Sequence, residues 1–135
     1  MPVINQPMSA SYYVAKAGVL LASQTVNYGE IAMQTSGKIR PALTAVAGSK
    51  LLGMSMQTLT DATGSDVTLA QPATFARGLV VYLDGKAGDL PTAANLGGLV
   101  ALDTGSQVKA TVAGDDLTLT LVDVRADGQF GVYIP

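Results

Sequence analysis

The chain has no cysteine, no histidine and no tryptophan, and Glu30 is its single glutamate. Without cysteine there is neither a disulfide framework nor a thiolate site, and the redox compartment is left open. Without histidine the Ser-His-Asp and Cys-His nucleophile arrangements are excluded, and so are the usual zinc and copper sites. Charge is scarce too: charged residues make up 13% of the 135, about half the usual share of a soluble protein. The exterior must therefore be built from Thr, Ser, Gln, Asn, Gly and Ala. A neutral surface of that kind tolerates close protein contact, although a partnerless, Thr-rich β domain has the same composition.

What charge there is does not point to nucleic acid. The net charge is −2 and the isoelectric point about 4.7. Lys16, Lys38, Arg40, Lys50, Arg77, Lys86, Lys109 and Arg125 are scattered, with no basic run to neutralise phosphates. No apolar run approaches the roughly 18 residues that span a bilayer. The opening MPVINQPMSASYYVAKAGVLLAS has no basic residue before Lys16 and only a short apolar core at Gly18–Ala22, which is not a signal-peptide pattern. A soluble protein made in the cytoplasm is expected.

Hydrophobic residues, at 48%, supply a sizeable core, and a chain this long buries roughly two-thirds of its unfolded surface as one domain. From Gly29 to Leu83, short apolar runs alternate with Ser36-Gly37-Lys38, Ala47-Gly48-Ser49, Thr63-Gly64-Ser65-Asp66, Gln71-Pro72 and Arg77-Gly78. Short strands broken at intervals of about ten residues are the pattern of an all-β sandwich or barrel. Gly or Pro interrupts before three helical turns could complete. The expected fold is a single β domain over residues 12–135, a β-sandwich or jelly-roll-like barrel. An extended N-terminal arm precedes it over 1–11, because Pro2 and Pro7 bracket Val3-Ile4-Asn5-Gln6 and favour extended backbone.

Within that domain Tyr12-Tyr13-Val14 begins a strand, with a turn or bulge at Gly18. Ser23–Gly29 reads as a polar connection. Ile31–Thr35 and Lys38–Arg40 form a hairpin around Ser36-Gly37, stopped by Pro41. In the strand Leu51–Leu59, Leu52, Met54 and Met56 share one face and Gly53 and Ser55 the other. Leu79–Leu83, the most hydrophobic run, is expected to be buried on both faces. Residues 84–107 are the least regular, with room for one helical turn near Leu90–Leu96. Val108–Ala113 and Leu117–Val124 read as a hairpin across Gly114-Asp115-Asp116, and Asp127-Gly128 turns into a last strand, Phe130–Ile134.

Chemistry then rests on carboxylates. Asp115 with Asp116, Asp61 with Asp66, and Asp84 with Asp89 are the pairs that glycoside hydrolysis or calcium binding would need. Most of these Asp residues lie in Gly-containing turns, where Asp serves by bonding its own backbone, and no run matches an EF-hand loop. Gly29 with Gly37-Lys38 is no phosphate loop, because the spacing is too long and Ile39 stands where Ser or Thr should hold magnesium. The expectation is a protein that is not an enzyme and carries no cofactor and no metal. Met33, Met54 and Met56 read as core filler, and the tyrosines as core, edge or interface anchors.

Three stretches carry a resemblance: Tyr12-Tyr13-Val14-Ala15-Lys16-Ala17-Gly18, Gly29-Glu30-Ile31, and Lys50-Leu51-Leu52-Gly53-Met54-Ser55-Met56. Their order of apolar strand, Gly-x-apolar hairpin and apolar-apolar-Gly-apolar strand resembles the small capsid cement, or decoration, proteins of tailed bacteriophages, over roughly residues 10–83. The resemblance implies a structural virion protein on the capsid exterior, a dimer or trimer that staples neighbouring major capsid protein subunits and acts on no substrate. Contact residues expected on that reading are Pro2, Val3, Ile4 and Met8 of the arm, then Tyr12, Phe130, Tyr133 and Ile134. A carbohydrate-binding β-sandwich is the alternative, weakened by the absence of tryptophan to stack on a sugar.

Overall fold

The computed structural model describes residues 11–61 and 63–135. The arm's Pro2, Val3, Ile4 and Met8 lie outside the described residues. Fourteen strands run through the described part: Tyr12–Lys16 (β1), Val19–Leu20 (β2), Thr25–Val26 (β3), Ile31–Thr35 (β4), Lys38–Pro41 (β5), Lys50–Ser55 (β6), Leu59–Thr60 (β7), Val67–Thr68 (β8), Ala73–Arg77 (β9), Leu79–Gly85 (β10), Leu99–Thr104 (β11), Gln107–Lys109 (β12), Thr118–Val124 (β13) and Gln129–Ile134 (β14). One 3-10 turn, Ala93–Asn95, interrupts them, capped by Thr92. The fold is all-β, as expected.

Local chemistry accounts for the hairpins. Ser36 and Gly37 both take positive φ, 50° and 77°, the backbone of a two-residue turn whose twist matches its strands. Thr35 accordingly pairs with Lys38, and the ladder continues through Ala32 opposite Pro41. The turn after Arg125 closes as Gly128 N donates to the Arg125 carbonyl, and β13 and β14 pair antiparallel.

The strands form two bodies and a small ribbon. A seven-stranded sheet has the order β1-β9-β6-β4-β5-β2-β8, and β10-β12-β11-β13-β14 close into a barrel, while β3 and β7 pair apart. Only β2–β5 and β10–β12 run parallel. Each body has its own apolar filling. Val81, Leu83, Val100, Leu102, Val108, Leu119, Leu121, Phe130, Val132 and Ile134 fill the barrel, and Leu20, Val26, Ile39, Leu52, Leu59 and Phe75 pack against the sheet.

β4 is the wall between them. Ile31 belongs to the barrel's cluster and Ala32, the next residue, to the sheet's, because successive side chains of a strand point to opposite faces. Ile31 N donates to the Gly105 carbonyl, and Thr44 N to that of Asp103. Farther along, Gly78 N donates to the Ile134 carbonyl where β9 runs into β10.

Several expectations need correction. The strand buried on both faces is β4, where Ile31, Ala32 and Met33 are all fully buried; in β10, Val80 and Tyr82 face out at 38% exposure each while Val81 and Leu83 face in. Leu52 and Met54 do not share a face. Ala32 pairs with Gly53 but Met33 with Leu51, so β6 carries one extra residue there, a β-bulge. Leu51 and Met54 consequently both pack toward the barrel and Leu52 toward the sheet. β12 does not pair with β13. It forms a hairpin with β11 and runs parallel to β10, and β11 stands between β12 and β13. Ser23–Gly29 holds the strand β3, whose Val26 is fully buried. Among the described residues no helix is long and apolar enough to cross a membrane.

Candidate functional site

The carboxylates are occupied with holding loops. Asp116, whose side chain has no solvent-accessible surface, accepts from Thr44 Oγ1, Ala45 N and Ala113 N at 2.8 Å each and pairs with Lys109 Nζ at 3.1 Å. Burial alone would raise its pKa, but the bonds from Ala113, Thr44, Ala45 and Lys109 outweigh it and hold the carboxyl well below the usual carboxylate range. Asp61 accepts from Ser23 N, Thr63 N, Thr63 Oγ1 and Gly64 N, and the Ser23 amide is the main cause of its lowered pKa. Asp66 is lowered chiefly by Lys38, and it also accepts from Ala22 N. All three are made more acidic, the reverse of what a general acid needs. Asp89 is tied to Thr111 and Asp84 to Gln129 Nε2. Among the described residues no three acidic side chains gather to hold a metal ion.

Two surfaces remain. The first crosses the outside of the barrel. Leu99 stands opposite Thr120, Thr120 opposite Tyr133, and Tyr133 opposite Val80, so one row runs over β11, β13, β14 and β10 without a charge. Leu99 is 58% exposed and Tyr133 40%. Thr118 and Pro135 join them around a shallow groove of about 340 Å³. Next to this row the surface turns polar. Tyr82 lies over Gly131, donates from its hydroxyl to Asp123 Oδ2 at 2.8 Å and has the Arg125 guanidinium 4.9 Å above its ring. Arg125 in turn pairs with Asp127 at 2.7 Å. The hydrogen bond to Asp123 raises the Tyr82 pKa and keeps its phenol protonated. An apolar centre with a polar rim is the anatomy of a protein-binding patch.

The second surface is a cleft of about 440 Å³ where the β11–β12 turn meets β5, with Gln24, Glu30, Arg40, Leu43, Ser106 and Gln107 among its walls. Glu30 Oε1 accepts from Asn27 N and Nδ2 at 2.7 and 2.9 Å.

The expected contact residues separate. Tyr133 lies in the exposed row. Tyr12 is 48% exposed on the edge strand β1 of the sheet, opposite Arg77, and is not among the residues that line the groove. Phe130 and Ile134 point into the barrel, 5% and 0% exposed, and make no surface contact. They sit an even number of residues apart, and Tyr133 is of opposite parity. Leu99, Thr120 and Val80 were missed. The first lay in the segment read as irregular, and Val80 becomes a neighbour of Tyr133 only through non-local pairing, although the alternation of 117–121 marks Thr118 and Thr120 as outward. Comparison with protein-family models, curated proteins and solved structures finds no match to this chain.

Proposed function

We propose that this protein is a structural component of a bacteriophage virion, which binds the outer surface of the capsid and cements neighbouring major capsid protein subunits. The observation that carries the reading is the uncharged row Leu99–Thr120–Tyr133–Val80, rimmed by Tyr82, Asp123, Arg125 and Asp127. Exposed Leu and Tyr on a rigid barrel supply apolar contact at low entropic cost, since the backbone under them is already fixed. The low charge of the chain and the resemblance of residues 10–83 to capsid cement proteins support the same reading. Its physics is multivalent: a dimer or trimer spreads modest contacts over several shell subunits, and effective concentration turns them into firm attachment.

The test is co-sedimentation with undecorated capsids, alongside light scattering for mass. Leu99→Asp with Tyr133→Asp should lower capsid binding at least about tenfold, because a charge at the centre of an apolar contact loses its water without gaining a partner. The melting temperature should move little, as both side chains already face solvent. Deleting residues 2–8 should also weaken attachment with little thermal cost. Undiminished sedimentation of the double variant refutes the barrel face as the contact, and undiminished sedimentation of the deletion refutes the arm.

A second reading, carbohydrate binding, is favoured by one feature only, the polar cleft around Arg40.

A further inference from the structure

Four of the eight basic side chains are in ion pairs: Lys38 with Asp66, Lys86 with Asp103, Lys109 with Asp116 and Arg125 with Asp127. Arg77 is held by the Pro135 carbonyl. Arg40 is different. It is half-buried, lines the cleft, and its side chain forms neither an ion pair nor a hydrogen bond among the described residues; its Nε is enclosed with no partner. Enclosed N–H groups without partners are rare in folded proteins, and a half-buried guanidinium with no ion pair is left to take an anion from outside the chain. Arg40 lines the cleft, where an anion would meet its positive charge.

The other walls define what else the ligand carries. Gln24 and Gln107 also make no side-chain hydrogen bond among the described residues. Each amide offers two donors and an acceptor, the complement of hydroxyl groups. Ser106 adds a hydroxyl, and Glu30 has Oε2 left to accept while Asn27 occupies Oε1. Leu43, 39% exposed, gives an apolar wall for C–H groups. A volume of about 440 Å³ lies in the ordinary range for small-ligand sites. One cation with a carboxylate also lining the cleft suits a monoanion and disfavours a phosphate dianion.

We propose that this cleft binds an acidic sugar, a ring bearing one carboxylate and several hydroxyls: Arg40 takes the carboxylate, and Gln24, Gln107 and Glu30 take hydroxyls. The site stands apart from the barrel face and does not depend on the capsid reading. It would give a virion protein a second, glycan-directed contact.

The probe is glucuronate, titrated into the full-length, ¹⁵N-labelled protein and followed by amide shifts. Saturable shifts at the backbone amides of Gln24, Arg40 and Gln107 are expected, with a dissociation constant on the order of millimolar for so small a ligand. Glucose and acetate, each lacking half of the recognition, should bind at least about tenfold more weakly. Arg40→Gln should lose at least about tenfold while the amide shifts of the remote barrel core stay unchanged. Should Arg40→Gln fail to fold, the double variant Gln24→Ala with Gln107→Ala serves, since it keeps the charge and removes the amides; it should bind glucuronate no better than acetate. Acetate binding as tightly as glucuronate would reduce the site to a bare anion hole, and an aspartyl peptide binding more tightly would assign it to protein. No shift in the cleft at saturating glucuronate, or undiminished glucuronate binding by Arg40→Gln, overturns the proposal.

Discussion

Asp116 illustrates how much a single acid does here. Its enclosed carboxylate gathers Thr44, Ala45 and Ala113, and Lys109 Nζ, itself 12% exposed, donates also to Thr44 Oγ1 at 2.6 Å. The group thereby ties the loop after β5 to the loop before β13. Removing it as Asp116→Ala leaves Lys109 and two amides without partners, which costs about 3 kcal/mol, read as a lower urea midpoint at an unchanged slope. Because its folded-state pKa lies below the unfolded value, its contribution is complete above pH about 4 and drains as the pH falls further. The stability gap between the natural protein and Asp116→Asn should therefore narrow below pH about 4, by up to about 1.4 kcal/mol per pH unit. A gap as wide at pH 3 as at pH 7 would show that folding does not lower the pKa of this carboxyl.

Among the elements, β6 shows why backbone matters beyond pattern. Gly53 sits at φ +133°, and a Cβ there would lie 2.6 Å from the Ala76 carbonyl oxygen. Gly53→Ala thus combines backbone strain with overpacking against β9 and should cost about 3 kcal/mol. Gly37→Ala, at φ +77° with nothing within 4 Å of the new methyl, should cost about 1 kcal/mol. Parallel urea titrations of the two variants that gave equal losses would remove steric closeness as the reason for Gly53. The bulge beside this glycine is also where sequence reading failed, because an extra residue reverses facing downstream and nothing in Leu51-Leu52-Gly53-Met54 announces it. Turns with a mechanism were legible: Ser36-Gly37 and Asp127-Gly128 mark their hairpins, and Leu117, Leu119 and Leu121 mark an inward face. β11 was not legible, because Gly97-Gly98 before it and Gly105 after it read as loop punctuation. Of the candidate patch, only Tyr133 was named as a contact from the sequence, with Thr118 and Thr120 marked as outward by the alternation of their strand. Thr120 meets Tyr133 across the β13–β14 hairpin, but Val80 and Leu99 join them only through pairings of non-consecutive strands, which depend on barrel closure.

At the scale of the whole molecule, two apolar clusters raise the question of whether sheet and barrel unfold together. They share β4: Ile31, fully buried, packs with Val100, Leu102 and their neighbours in the barrel's cluster, while its own strand is hydrogen-bonded into the middle of the sheet. Leu51 and Met54, from the adjacent strand β6, pack the same way. Extracting the barrel would expose these three side chains and break the Ile31–Gly105 and Thr44–Asp103 backbone bonds together with the Asp116 cluster. Fully exposing an apolar side chain of this size costs about 1.5–3 kcal/mol, so partial unfolding costs a large share of the roughly 5–15 kcal/mol that stabilises a typical domain. A single cooperative transition is therefore expected, with tyrosine fluorescence and far-ultraviolet dichroism giving coincident curves. Ile31→Ala should lower both curves together by about 2–5 kcal/mol. If that variant separated them, with the barrel melting before the sheet, β4 would be a spacer between two independent units and not their common wall.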